Sequence, residues 1–457
     1  MENTKTIISE TEKKGNWWAL LPIAVFLVVY IGFGILFGDF YKMSVVVAFL
    51  VAILVACFQN RKLKLDEKLG VMAKGVADKN IIIMILIFLT AGIFAGVLGR
   101  EGAESVANLF LSFIPAQYSA LVLFIVACFI STAMGTSVGT IAVLGPIAFA
   151  ISNVTGVSLP LCIGTVVGGA MFGDNLSFIS DTTIAATSTQ GCQMKDKFKE
   201  NFWIALPAAI VTILILLVFA FTNADVNTYK PESINLWLLI PYVIVLIGGI
   251  LGVNVFVVLL IGIGSAILVK MIIFFQSSVY FVDFLSSIVG GMGAGALGMF
   301  EVIIVTLLVS MLSALMREHG GFTALLNGIK KIFRGKVGGQ AGIALLVSAM
   351  DIATANNTVA IVMAAPIAKN ISDEYGITNT KTASLLDIFG SVVQGIIPYG
   401  AQILTAVGAT AIMSGDLIIG YGISAIEILP FLFYPYLLAI SAIVFMFVPA
   451  KKDKKQI

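Results

Sequence analysis

The chain is made of apolar runs long enough to cross a bilayer, and these leave little room for anything else. No charge interrupts the stretch from Ile81 to Gly99, nor that from Phe202 to Thr222. A spanning helix needs about 20 consecutive apolar residues, so the chain supplies about ten to fourteen transmembrane elements. Charged residues are 11% of the 457 and hydrophobic ones 59%, against about 25% charged in a soluble domain. A cytosolic enzyme, a nucleic-acid binder and a disordered scaffold are excluded, and the net charge of +2 offers nothing to nucleic acid. The expectation is an all-α polytopic membrane protein whose surroundings are a lipid bilayer.

The four cysteines, Cys57, Cys128, Cys162 and Cys192, form no C-x-x-C pair and read as small apolar residues. His319 is the single histidine, so a histidine-based metal centre is not expected. No small-residue cleavage site follows the first apolar run, which is therefore taken as a retained span.

Basic residues cluster between the runs. Arg61, Lys62, Lys64, Lys68, Lys74 and Lys79 occupy one connection, and Lys195, Lys197 and Lys199 another. Lys330, Lys331, Arg334 and Lys336 form a third cluster, and Lys451, Lys452, Lys454 and Lys455 a fourth. The positive-inside rule makes these cytoplasmic. The connection 223–235, with one lysine against two acids, faces outside. Spans at 17–37 and 44–58 then put both termini in the cytoplasm, with the chain in the plasma (inner) membrane.

Short matches recur along the chain. Arg100-Glu101 and Arg317-Glu318 stand 217 residues apart, as do Phe172-Gly173 and Phe389-Gly390; Pro146-Ile147-Ala148 returns as Pro366-Ile367-Ala368 after 220. The neutral segment 113–119 corresponds to the basic 330–336, and the basic 195–199 to the cation-free Ser414-Gly415-Asp416. Equivalent connections on opposite sides of the membrane are the mark of inverted-topology repeats, typical of secondary transporters. The expected division is N-terminal spans and a basic connection at 1–80, repeat 1 at 81–222 and connector spans at 223–298. Repeat 2 follows at 299–449, with a basic tail at 450–457.

Polar residues collect where spans should be apolar. Residues 131–140 read Ser131-Thr132-Ala133-Met134-Gly135-Thr136-Ser137-Val138-Gly139-Thr140, and the counterpart of Thr136-Ser137 is Asn356-Asn357. Small hydroxyl, amide and glycine residues suit a helix that breaks at membrane depth, tolerated only inside protein or beside a water-lined cavity. Their oxygens are hard ligands suited to sodium, which is expected at Thr136, Ser137, Asn356, Asn357 and Thr358, with Asp351 as a further candidate ligand. The bland alternative is close helix packing by small residues. A second cluster, Gly173 to Thr183, holds Asp174 and Asp181, two turns apart on one face if the helix continues. An ionisable residue inside a membrane is a functional candidate by default. The corresponding stretch, Phe389 to Gln402, is polar but uncharged, with Asp387 just before it. Gly293, Gly295 and Gly298 match G-x-G-x-x-G, but no strand precedes them, so a dinucleotide site is rejected.

The run Phe172-Gly173-Asp174-Asn175-Leu176-Ser177-Phe178-Ile179-Ser180-Asp181-Thr182-Thr183 resembles the G-D-x-x-S-P-x-S-D-T-T signature of NhaC-type sodium/proton antiporters. Gln394-Gly395-Ile396-Ile397-Pro398-Tyr399-Gly400 resembles that family's second-half element. The resemblance implies the wider ion transporter superfamily: inverted repeats with re-entrant hairpins, a scaffold and a moving transport part, and homodimers. It maps Asp174, Ser177, Ser180, Asp181, Thr182 and Thr183 onto the signature. Phe178 replaces the motif proline, and Asn175 stands where a charge is more usual. Relatives with this variant resemble amino-acid transporters as much as antiporters.

The preferred expectation is therefore a sodium-coupled carrier of a small organic solute, an amino acid above all. Its substrate would meet Asp174, Ser177, Phe178, Asp181, Thr182, Gln394, Tyr399 and Gln402. Sodium is the coupling ion and no organic cofactor is implied. The rival is a sodium/proton antiporter, in which Asp174 and Asp181 bind sodium and protons in turn. A channel is disfavoured by off-centre breaks in inverted repeats. No nucleophile-and-base pair can be assembled for an enzyme.

Overall fold

The computed structural model describes residues 14–37, 44–222, 234–251, 253–276, 280–332, 334–414 and 423–448, and every regular element among them is helical. Ten helical stretches are long and apolar enough to cross a membrane. The count is eleven if Ala425–Phe431 and Phe433–Met446, bent by 54°, form one span. The expected span at 17–37 is present as Trp17–Gly34, whereas that at 44–58 is a 15-residue helix, shorter than a full crossing. The C-terminal basic cluster and Gly415-Asp416 lie outside the described residues.

The helices that build the interior are α4 (Lys79–Phe113), α5 (Ser119–Met134), α6 (Ser137–Thr155), α7 (Leu159–Leu176), α8 (Asp181–Gln190) and α9 (Met194–Thr222). They follow α1 (Leu21–Phe37), α2 (Val45–Gln59) and α3 (Leu65–Val76). Next come α10 (Ile240–Ile250), α11 (Val255–Phe275) and α12 (Phe281–Gly298). The second set is α13 (Phe300–Glu318), α14 (Gly321–Ile332), α15 (Gly335–Thr354), α16 (Asn357–Tyr375), α17 (Asn379–Ile396) and α18 (Ala401–Ser414). The chain closes with α19 (Ala425–Ile428) and α20 (Phe433–Met446).

Local chemistry explains the interruptions. Helix α5 stops at Gly135, which takes the left-handed φ of 67° and bonds the Ser131 carbonyl at 2.8 Å. Thr136 then caps α6 by accepting from the Gly139 N–H. In the second set α15 stops at left-handed Ala355 (φ 47°), and Asn356 caps α16 by accepting from Val359 N–H at 3.0 Å. Helices α6 and α16 each carry a proline, Pro146 and Pro366, and end at left-handed Gly156 and Gly376. Helices α7 and α17 break after Leu176 and Ile396, and α8 and α18 start at Asp181 and Ala401. All these landmarks pair at a separation of 220 residues.

That register corrects two of the sequence matches. Phe172-Gly173 falls opposite Val392-Val393, so the Phe-Gly match was one helical turn out. Such a slip keeps nearly the same face, so a short match can survive it. Arg100-Glu101 follows a kink at Gly99 (φ 63°) and falls opposite Gly320-Gly321, whereas Arg317-Glu318 precedes left-handed Gly320 (φ 83°). The two Arg-Glu pairs are not equivalent.

The halves interlock. Helix α8 packs against α16 and α17, while α18 packs against α6, so each half closes on the other's broken helices. Helices α4 and α12 meet through glycines: a Cβ on Gly96 would lie 2.1 Å from the Gly291 carbonyl oxygen, and one on Gly295 2.0 Å from that of Gly92. Small residues let membrane helices approach this closely.

Candidate functional site

A cavity of about 670 Å³, counted out to its open mouth, lies between the two sets of breaks. The first half contributes Thr136, Ser137, Asp174, Asp181 and Thr182 to its wall, and the second Asn356, Asn357, Thr358, Gln394 and Gln402. The C-terminal end of α5 and the N-terminal ends of α6 and α16 reach it, so both signs of helix dipole are available to a bound ion. Residues far apart in sequence meet here because each hairpin's tip is capped by its own side chain.

Asp174 is the centre of the polar network. Although 6% exposed, its carboxylate accepts from Ser137 Oγ at 2.8 Å and from Ser180 Oγ at 2.7 Å. Thr182 Oγ lies 2.9 Å from Ser180 Oγ, and Gln402 Nε2 donates to Ser137 Oγ at 3.1 Å. Hydrogen bonds to a charged group are worth roughly 1.5–3 kcal/mol each, so two hydroxyls offset part of the cost of burying this charge. Among the described residues no cation pairs with it, which leaves the carboxylate open to a mobile one. Thr136, Ser137, Asn356, Asn357 and Thr358 bring hydroxyl and amide oxygens, which are hard donors, to the cavity wall.

Other expected residues differ in what they touch. The chain breaks at Ser177, so Asp174 and Asp181 do not share a helical face; Asp181 is exposed at the first position of α8, beside the cavity. Ser177 is buried, with Oγ accepting from Ile179 N–H at 3.3 Å. Phe178 is half-exposed, stacks on Phe198 at 4.7 Å and does not line the cavity. Tyr399 is buried against Phe26 and Phe49, and its hydroxyl donates to the Ile352 carbonyl at 2.7 Å. Gln394 Nε2 donates to the Ala355 carbonyl at 2.8 Å. Asp351 is fully buried, outside the cavity wall, with no partner on either carboxylate oxygen.

One feature missed in the sequence is a buried ion pair. Lys197, read there as part of a cytoplasmic connection, is 1% exposed, and its Nζ lies 2.6 Å from Asp387 Oδ2. It also donates to Thr183 Oγ (2.7 Å) and the Asn175 carbonyl (3.3 Å). Asn201 Nδ2 bonds both Asp387 and the Asn175 carbonyl. The signal was present: Lys197, Asn201, Ile204, Ala205 and Ala208 follow helical spacing and all are buried on α9. Asp387 is thus an interior partner in α17 rather than a helix-end residue.

Two further cavities lie next to the central one. The first, about 240 Å³, shares Met84 and Ala401 with it and is also lined by Tyr399, Ser310 and Thr354. The second, about 430 Å³, shares Ile81, Ser310 and Thr354 with the first. It extends to Lys74, Asp78 and Arg317, at the end of the basic connection 61–79.

The chain has relatives among known proteins. It is 24% identical over 82% of its length to the Na(+)/H(+) antiporter NhaC of Bacillus subtilis, covering 86% of that protein. It is 26% identical over half its length to the Malate-2H(+)/Na(+)-lactate antiporter of the same organism, covering 52% of it. Among solved structures, the Alcanivorax borkumensis YdaH transporter, of unusual topology, aligns with 13% identity and a TM-score of 0.36, over 81% of this chain and 89% of that one. The sequence model of the Na+/H+ antiporter family matches residues 3–221 and 222–449. With ten membrane-length helices among the described residues and a buried, hydroxyl-bound aspartate, this multi-pass membrane protein belongs to the Na+/H+ antiporter family.

Proposed function

We propose that the protein exchanges sodium for protons by alternating access, with Asp174 as the carboxyl both ions use. Asp174 carries the reading: a buried acid without a cation partner, held by two serine hydroxyls at the crossing of the broken helices. A charge in that position is tolerated only when it is paired or neutralised. Sodium, held with the hydroxyl and amide oxygens of Thr136, Ser137, Asn356, Asn357 and Thr358, does the first. A proton does the second. Family membership favours this exchange over the amino-acid carrier preferred from the sequence alone.

The chain of cavities toward Lys74 and Arg317 serves as the access route from the side that the positive-inside rule makes cytoplasmic. On the same rule both termini lie in the cytoplasm of a plasma-membrane protein. The resemblance to the ion transporter superfamily adds a homodimer, in which the broken helices move against a scaffold.

A second reading, sodium-coupled transport of a small organic solute, is favoured by the cationic approach through Lys74 and Arg317 and by the relative named for malate and lactate. Purified protein in liposomes separates the two. An imposed sodium gradient should drive a pH change in the absence of any organic solute, and Asp174→Asn should abolish it together with labelled sodium flux. Sodium-dependent uptake of a labelled amino acid or hydroxy acid, with no pH change in its absence, refutes the exchange reading.

A further inference from the structure

The 220-residue register places an acid at the same helix–helix contact in each half, but on opposite partners. In the first half Ser131 of α5 donates to the Ala170 carbonyl of α7 at 2.5 Å. Its Cβ would lie 2.5 Å from a Cβ built on Gly173, so it packs one residue from Asp174. In the second half Asp351 of α15 takes the place of Ser131, and Gln394 of α17 takes that of Asp174. The contact holds serine and aspartate in one copy, aspartate and glutamine in the other.

Ser131 satisfies itself by donating to a backbone carbonyl. An ionised carboxylate has no proton to donate, and Asp351, at 0% exposure, has no partner on either oxygen. The Gln394 backbone faces it without reaching hydrogen-bonding geometry. On the same stretch of α17, Ser391 Oγ and Gln394 Oε1 are also buried without partners. Burying an unpaired carboxylate costs several kcal/mol even after the surroundings relax. The charged groups on the surrounding helices are committed elsewhere. Asp387 pairs with Lys197, Lys381 with Glu200, and Lys369 donates to the Gln190 carbonyl. Arg317 reaches Met363, while Glu301 opens α13 and Glu318 closes it, and Asp373 and Glu374 end α16. Lys330 and Lys331 of α14 have side chains outside the described residues.

We propose that Asp351 is a second proton-carrying carboxyl of the exchange cycle, so that two protons move for each sodium. It lines none of the three neighbouring cavities, which suits a proton rather than a coordinated metal ion. Two hydrogen bonds from the α17–α18 region hold its turn in place: Tyr399 to the Ile352 carbonyl and Gln394 to the Ala355 carbonyl. Tyr399, Thr354 and Ala355 line the 240 Å³ cavity, so release of these bonds brings water within one helical turn of Asp351. There the Asp351 O–H bond breaks, the proton passes to water, and the carboxylate is reprotonated from the other side. The proposal rests on sodium–proton exchange at Asp174.

The test measures labelled sodium flux and proton flux together in liposomes holding the full chain, at several clamped membrane voltages. The wild type should move two protons per sodium and respond to voltage, because net charge crosses. Asp351→Asn, isosteric with the protonated acid, should fall to one proton per sodium and lose the voltage response. Asp351→Ser, which restores the residue of the first half, should do the same and guards against misfolding of the amide variant. A wild-type ratio of one overturns the proposal, as does a ratio of two in either active variant. Absence of any sodium-driven proton flux in the wild type refutes the Asp174 reading itself.

Discussion

Lys197 is the side chain whose removal should be most costly outside the cavity, and its surroundings allow the cost to be worked out. Lys197→Met takes the ammonium from Asp387, whose Oδ1 already lacks a partner and whose Oδ2 is left with Asn201 alone. Breaking a buried pair from one side typically costs about 3–5 kcal/mol. Asp387→Leu should cost a similar amount, because the ammonium would retain only the Thr183 hydroxyl and the Asn175 carbonyl. The double variant is different. Asn201 Nδ2 keeps the Asn175 carbonyl at 3.0 Å, and Asn201 Oδ1 keeps the Ser384 hydroxyl, so few polar groups are orphaned. Replacing a whole buried pair by apolar residues is often neutral or better, so the double should fall within about 1 kcal/mol of wild type. Denaturant unfolding in detergent micelles, followed through the four proteins, measures the cycle. A double variant as unstable as the sum of the singles refutes the coupling. A Lys197→Met variant within about 1 kcal/mol of wild type refutes the claim that the amine balances Asp387.

Gly135 and Ala355 occupy equivalent left-handed positions and should respond to substitution in opposite ways. Gly135→Ala adds strain of roughly 1–2 kcal/mol and drives a Cβ to 2.5 Å from Ile179 Cγ1; unfolding and exchange assays should both show loss. Ala355→Gly removes similar strain and loses about 0.5–1 kcal/mol to backbone entropy, so its unfolding midpoint should hold or rise. Gly295→Ala must part α4 from α12 to clear the Gly92 carbonyl, at about 1–3 kcal/mol, read as a lower thermal midpoint in detergent. At the end of α13, burial and then the charge of Lys68 hold the His319 imidazole below its ordinary value. Its folded form therefore binds fewer protons than the unfolded one, and its share of stability is lost as pH falls below about 6.5. Hydrogen exchange of residues 14–20, which His319 meets through Asn16 at 3.0 Å, should quicken over that range in wild type and not in His319→Gln.

The breaks were legible because they need residue types a spanning helix avoids. Thr136-Ser137 and Asn356-Asn357 carry oxygens able to cap a helix start, and the sequence places them at equal spacing, so the cavity's walls could be named before its shape was known. Register within α7 and α17 was not legible, because a one-turn slip leaves the same faces inward. Yet that turn decides whether Asp174 stands opposite Ser391 or opposite Gln394. Lys197 was hidden for a related reason. Counted as charge in a connection, it looks like an orientation signal; counted on the face of α9 that carries Asn201 and Ile204, it looks like an interior group. Charge counting averages over direction, whereas burial is decided by direction. The same distinction separates the two carboxyls: Asp174 has a hydroxyl on each oxygen, and Asp351, one helix over in the other half, has none. In a membrane interior a carboxyl that donors have already paid to keep charged invites a cation, and one left bare invites a proton.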